Sequence, residues 1–202
     1  MNYKRFKSQL DFIIEIDKIK QIFRNTLLLD KSRKENDAEH TWHMAVCALL
    51  FVEYSDEKDL DILEILKMVL IHDIVEIDAG DTFAYDEIAN IDKSESEQKS
   101  ADRIFGILPY EQGNEFRRLW DEFEELVTPE GKYAVAIDTF MPILHNYLTE
   151  GIQWRKFKVP SSKVRIRNEN RIKPASKELY EYVEEMIDES IKNGFFEEKE
   201  ID

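Results

Sequence analysis

Residues 60–76 read Leu60-Asp61-Ile62-Leu63-Glu64-Ile65-Leu66-Lys67-Met68-Val69-Leu70-Ile71-His72-Asp73-Ile74-Val75-Glu76. Apolar side chains recur on most sides of this stretch, which predicts a helix over about 59–76 that is central and buried. It ends in His72-Asp73, and Asp73 falls in register with Ile62, Leu66, Val69 and Glu76. A carboxylate is thus aimed at a core. Buried without a partner, such a group either takes a proton or finds a cation.

The flanking sequence builds more helices around this one. Phe6, Leu10, Ile13, Ile14, Ile16, Ile19 and Phe23 recur mostly at three- and four-residue spacing, predicting an amphipathic helix over 6–23. Asn36 or Asp37 offers an N-cap for a helix to about Tyr54, with Glu39 in its first turn. Residues 77–92, around Gly80, read as a loop. Ser94-Glu95-Ser96-Glu97 fits a capping box for a helix to about Leu108, where Pro109 stops it. Another helix covers roughly 111–127. Thr128-Pro129 opens one more, to about Thr149, and Ser176 caps a last one ending near Gly194. The stretch 150–174 reads as an irregular basic loop, in which Arg155, Lys156, Lys158, Lys163, Arg165, Arg167, Arg171 and Lys173 have only Glu169 as an acid among them. No strand pair stands out. The expectation is an all-α, single-domain helical bundle over 1–202, with its core in about 10–150, a basic loop at 150–174 and a C-terminal helix at about 176–194.

With 202 residues, the chain can bury one sizeable core. Its 43 acidic against 28 basic residues give a net charge of -15, which argues against nucleic acid or anionic lipid as a partner. The longest apolar run, Met44–Val52, is too short to span a membrane, and no secretory segment is evident at the N-terminus. Cys47, the sole cysteine, sits among Ala45, Val46, Ala48 and Leu49 and reads as a buried thiol in a reducing, cytoplasmic setting.

Two further inward polar groups accompany the His72-Asp73 pair. His40 shares a face with Met44, Cys47 and Phe51, and Asp138 shares one with Ala134, Met141 and His145. Two imidazoles and two carboxylates from separate helices can meet around one divalent ion, and this donor set suits Mn²⁺, Co²⁺, Fe²⁺, Ni²⁺, Mg²⁺ or Zn²⁺. Taken singly, each has a plainer reading: a hydrogen-bonded core histidine, or a salt-bridged aspartate. Pro142 lacks the amide that would bond the carbonyl of Asp138, so a kink beside that residue is expected.

The order His40, His72-Asp73, Asp138 resembles the H…HD…D signature of the HD superfamily of metal-dependent phosphohydrolases. The likeness extends through Arg33-Lys34-Glu35-Asn36-Asp37-Ala38-Glu39-His40-Thr41-Trp42-His43 and Leu70–Thr82, with Leu119–Glu124 and Ala136-Ile137-Asp138 matching later. It is similar to the 5'-deoxynucleotidase branch over about residues 10–190. The resemblance implies an all-helical fold, one divalent metal ion and a homodimer. It places the metal ligands on His40, His72, Asp73 and Asp138, and the water-activating acids on Glu76 and Asp81. Its phosphate-contacting arginine falls on Arg24, with Arg33 as the other candidate. The expected activity is removal of phosphate from a small phosphorylated metabolite such as a (deoxy)nucleoside 5'-monophosphate. A phosphodiesterase, a nucleoside triphosphate hydrolase and a non-catalytic metal- or nucleotide-binding dimer are the alternatives. For a second metal, as in binuclear phosphodiesterases, only His43 and His145 are left.

Overall fold

The computed structural model of the protein describes residues 3–86 and 92–197. Its centre is a helix of twenty residues, α7 (Pro129–Leu148), in which Tyr133–Met141 are all buried. Thr128 starts it as anticipated: its side chain accepts from the Gly131 amide, and Pro129 occupies the first turn, where a missing N–H costs nothing. Around α7 pack α2 (Asp37–Phe51), α3 (Ile62–Ile71), α6 (Tyr110–Glu125), α9 (Ser161–Arg171) and α10 (Lys177–Lys192). Tyr133 ties α7 to α2 by donating to the Ala48 carbonyl at 2.9 Å.

The stretch 59–76 is helical only in part, because α3 ends at Ile71 and residues His72–Val75 tighten into a 3₁₀ turn. His72 Nδ1 donates to the Val69 carbonyl at 2.8 Å, the acceptor an α-helix would assign to the Asp73 amide. The short helix α4 (Glu76–Ala79) follows and stops at Gly80, whose φ of 78° is one a side chain would resist. One side of α3 is also open, with Leu63 and Leu70 exposed, so α7 and not α3 is the enclosed helix.

The N-terminal segment departs from its expected helix as well. Helix α1 (Tyr3–Ile16) gives way to a 3₁₀ turn at Asp17–Gln21, and Phe23–Leu27 forms strand β1, paired antiparallel with β2 (Lys34–Asn36). This hairpin was hidden because its pairing shifts register between Phe23 and Leu27, which breaks the alternation that marks a strand. Asn36 then caps α2 in a reciprocal capping box with Glu39.

The remaining differences lie at the C-terminal side. Helix α5 (Lys93–Phe105) starts one residue before the expected Ser94 capping box, without a side-chain cap, and Glu97 instead pairs with Lys93. The expected loop at 150–174 is mostly helical, comprising α8 (Ile152–Lys156) and α9. Its charge is neutralised by acids distant in sequence, since Arg165 bonds Glu184 and Asp188 on α10. The Ser176 cap of α10 forms as read, its hydroxyl accepting from the Leu179 amide. Among the described residues no helix is long and apolar enough to cross a membrane.

Candidate functional site

Three elements bring the expected ligands together. His40 comes from the first turns of α2, His72 and Asp73 from the 3₁₀ turn, and Asp138 from the middle of α7. His40 Nε2 lies 3.1 Å from Asp138 Oδ1, and His72 Nε2 stands 3.8 Å from the same oxygen. One ligand atom each of His40, His72 and Asp73 falls within a 4.8 Å cluster.

His72 shows how these atoms are meant to be used. Its Nδ1 donates to Val69, which leaves Nε2 as the ring atom free to bind a metal ion. Burial lowers His72, but the Asp73 and Asp138 charges outweigh it and raise the ring to about 9, so in the metal-free chain Nε2 holds a proton that a metal ion would displace. That Nε2 is 3.0 Å from Asp73 Oδ1, yet it has no partner of hydrogen-bond geometry among the described residues. A buried imidazole nitrogen and a carboxylate oxygen this close without hydrogen-bond geometry fit a cation, and the backbone carbonyl behind the imidazole is the outer partner that metal-bound histidines use. The donor set of two imidazoles and two carboxylates therefore fits a divalent metal ion.

Burial raises each of the neighbouring carboxyls, and the charges beside them decide which are held low. It pushes Asp73 up, but His72 and Arg24 beside it hold the group well below the usual carboxylate range. Asp138 is likewise held low against its burial by His40 and His72. For Asp37, burial and the Asp73 charge prevail and move it up to about 7. Glu76 is raised by burial and by Asp73 and Asp37. Asp81 is also raised, chiefly by burial. Carboxylates held in the ionised form thus sit beside carboxyls that hold their protons more tightly than usual, the separation of roles that acid-base chemistry uses.

Arg24, reaching in from β1, stands in the midst of these acids. Its Nη1 bonds Asp73 Oδ2 at 2.8 Å and lies 3.5 Å from Asp37 Oδ1. Burial alone would depress it, but Asp73, Asp138, Glu76 and Asp81 hold it above its ordinary value. Arg33 is elsewhere. It is half exposed and forks onto Glu39 at 2.6 and 2.8 Å.

Above the ligands opens a cavity of about 280 Å³, with Arg24, Asp73, Glu76, Asp81 and Asp138 among its walls. Lys93, Glu97, Glu124, Arg167 and Arg171 line it as well. Two arginines of the basic stretch therefore face the cavity while others are spent on surface pairs. Sequence reasoning offered Asp37 only as an alternative N-cap, a place that Asn36 takes, and gave Glu35 no role of its own, yet both are buried beside the ligands. The available signal was spacing: Asp37 precedes His40 by three residues, which places both on one face of α2.

Two histidines and two aspartates from three elements, set beneath a polar cavity, form a cluster that could hold a divalent metal ion in a helical fold. The chain belongs to the HD domain family, whose profile matches residues 16–180. A crystal structure of a predicted metal-dependent phosphohydrolase from Magnetospirillum magnetotacticum MS-1 is similar to it, with 47% identity, a TM-score of 0.91 and 96% of both chains covered. The 5'-deoxynucleotidase HDDC2 of Xenopus laevis is 28% identical over 150 residues, covering 74% of this chain and 73% of that protein. The 5'-deoxynucleotidase HDDC2 of Dictyostelium discoideum is 31% identical over 117 residues, covering 56% and 62%.

Proposed function

We propose that this HD-domain phosphohydrolase removes phosphate from small phosphorylated metabolites, with (deoxy)nucleoside 5'-monophosphates as the substrate class. The observation that carries this reading is the meeting of the His40, His72, Asp73 and Asp138 donors with Glu76, Asp81 and Arg24 under one cavity. A bound divalent ion would supply Lewis acidity toward a phosphoryl oxygen and acidify water. Glu76, raised by its burial, takes the proton of the attacking water, and Asp81 orients that water. Arg24 offsets phosphoryl charge. Lys93, Arg167, Arg171, Glu97 and Glu124, which also line the cavity, offer charged and hydrogen-bonding groups to a sugar and base. The names of the 5'-deoxynucleotidase relatives support the same substrate class.

The reading includes a homodimer. On α2, Trp42, Val46, Leu49 and Leu50 are exposed at helical spacing beside Leu63 and Leu70 of α3, an apolar face suited to a second copy of the chain. It also includes a cytoplasmic setting, which the buried Cys47 thiol supports: burial pushes it up to about 12 and keeps it unreactive.

The test is a metal-stripped preparation, reloaded with Mn²⁺, Co²⁺, Fe²⁺, Ni²⁺, Mg²⁺ or Zn²⁺ in turn and offered monophosphates, triphosphates and cyclic nucleotides. Phosphate release from the monophosphates alone is the expected result. Preference for a triphosphate or a cyclic nucleotide would replace the substrate class, and release from none would end the reading.

A further inference from the structure

The two histidines that the HD centre does not use stand together on its outer side. His43 of α2 and His145 of α7 have ring centroids 5.6 Å apart, and Glu35 of β2 joins them. One ligand atom from each of the three lies within 4.8 Å of the other two. Glu35 is 2% exposed and His145 3%. His145 Nδ1 lies 3.0 Å from the Leu27 carbonyl, which can only accept, so the ring proton sits on Nδ1 and Nε2 keeps its lone pair. That buried Nε2 has no hydrogen-bond partner among the described residues. Leaving it so carries a desolvation penalty that a ligand would remove.

We propose that Glu35, His43 and His145 form a second cation site, for a borderline divalent ion of the Zn²⁺ type. Two neutral imidazoles and one carboxylate leave the fourth tetrahedral position to water. The Leu27 carbonyl behind His145 repeats the arrangement of the Val69 carbonyl behind His72. None of the three residues lines the cavity, so the site is separate from the one that receives substrate.

Its position gives it a structural task. Glu35 stands on β2 and Leu27 on β1, while the histidines belong to α2 and α7. An ion held here clamps the hairpin onto two core helices, and the same hairpin carries Arg24 into the HD centre. Glu35 also links the two sites directly, with Oε2 3.6 Å from His40 Nδ1.

The test reads bound metal and needs no turnover, so its outcome is independent of the phosphohydrolase reading. Full-length protein is loaded with Zn²⁺, freed of excess metal by gel filtration and assayed for zinc per chain by mass spectrometry. His43 is only half-buried, and His43→Gln is expected to lower the content by one equivalent, both in the wild-type background and in Asp73→Ala. Zinc should raise the melting temperature of Asp73→Ala, and His43→Gln should erase that rise. Unchanged zinc content on adding His43→Gln in both backgrounds would overturn the proposal. So would an Asp73→Ala protein that retains no zinc, a result that stands whether or not the His43 variants fold.

Discussion

Arg24 Nη1 donates to Asp73 Oδ2 at 2.8 Å, which places the one guanidinium of β1 against the central carboxylate of the HD motif. With Asp37, Asp138, Glu76 and Asp81 also near, the arginine is the counter-charge that lets so many acids share one buried place. Arg24→Gln is therefore expected to destabilise the metal-free protein by about 3–5 kcal/mol, the usual cost of removing one partner from a buried ion pair. The loss should shrink when a divalent ion is supplied, because the ion replaces the missing positive charge and stabilises the folded state by mass action. Urea unfolding with and without Mn²⁺ measures both. Equal losses in the two conditions would remove Arg24 from this balancing role.

Asp73→Ala removes the proposed ligand that pairs with both His72 and Arg24. One equivalent of metal, the one held at this centre, should be lost after gel filtration, and phosphate release should disappear with it. A variant that still holds its metal tightly at this centre would contradict the ligand role of Asp73.

How the sequence discloses these relations depends on how local their causes are. Thr128-Pro129, Ser176 and the Asn36/Glu39 box act within one helical turn, and each is visible as a short pattern and present in the fold. His40, Asp73 and Asp138 were legible because a polar group in register with core residues must point inward. The hairpin was not, since its bulged register spoils the alternating pattern. Nor was α9, whose Arg165 is neutralised from α10 about twenty residues further on. Asp37 read as a cap because it opens a helix. Its inward aim was signalled only by its place three residues before His40 on the same face of α2.

Glu76 begins α4 directly after the 3₁₀ turn, and one of its carboxylate oxygens lies within 4.8 Å of carboxylate oxygens of Asp37 and Asp73. Glu76→Gln should keep the metal and lose turnover by roughly 10²–10⁴-fold, the range general-base catalysis supplies. Metal content and kcat measured on the same sample decide it. Unchanged turnover with metal in place would take Glu76 out of the mechanism.

Asp37 gives the clearest pH signature of the metal-free protein. Burial and the Asp73 charge raise its carboxyl to about 7, from an ordinary value near 3.8. Between those two pH values the folded chain binds more protons than the unfolded chain, so this group makes stability fall as pH rises through the window. Asn in its place carries no charge and removes that slope. Asp37→Asn should therefore gain in melting temperature over the wild type as pH goes from 4 to 8, with most of the gain reached by about pH 7. The comparison is made on metal-stripped samples, since a bound ion would itself favour the ionised carboxylate. A difference between the two melting temperatures that stays constant from pH 4 to pH 8 would show that Asp37 is not raised in the folded chain.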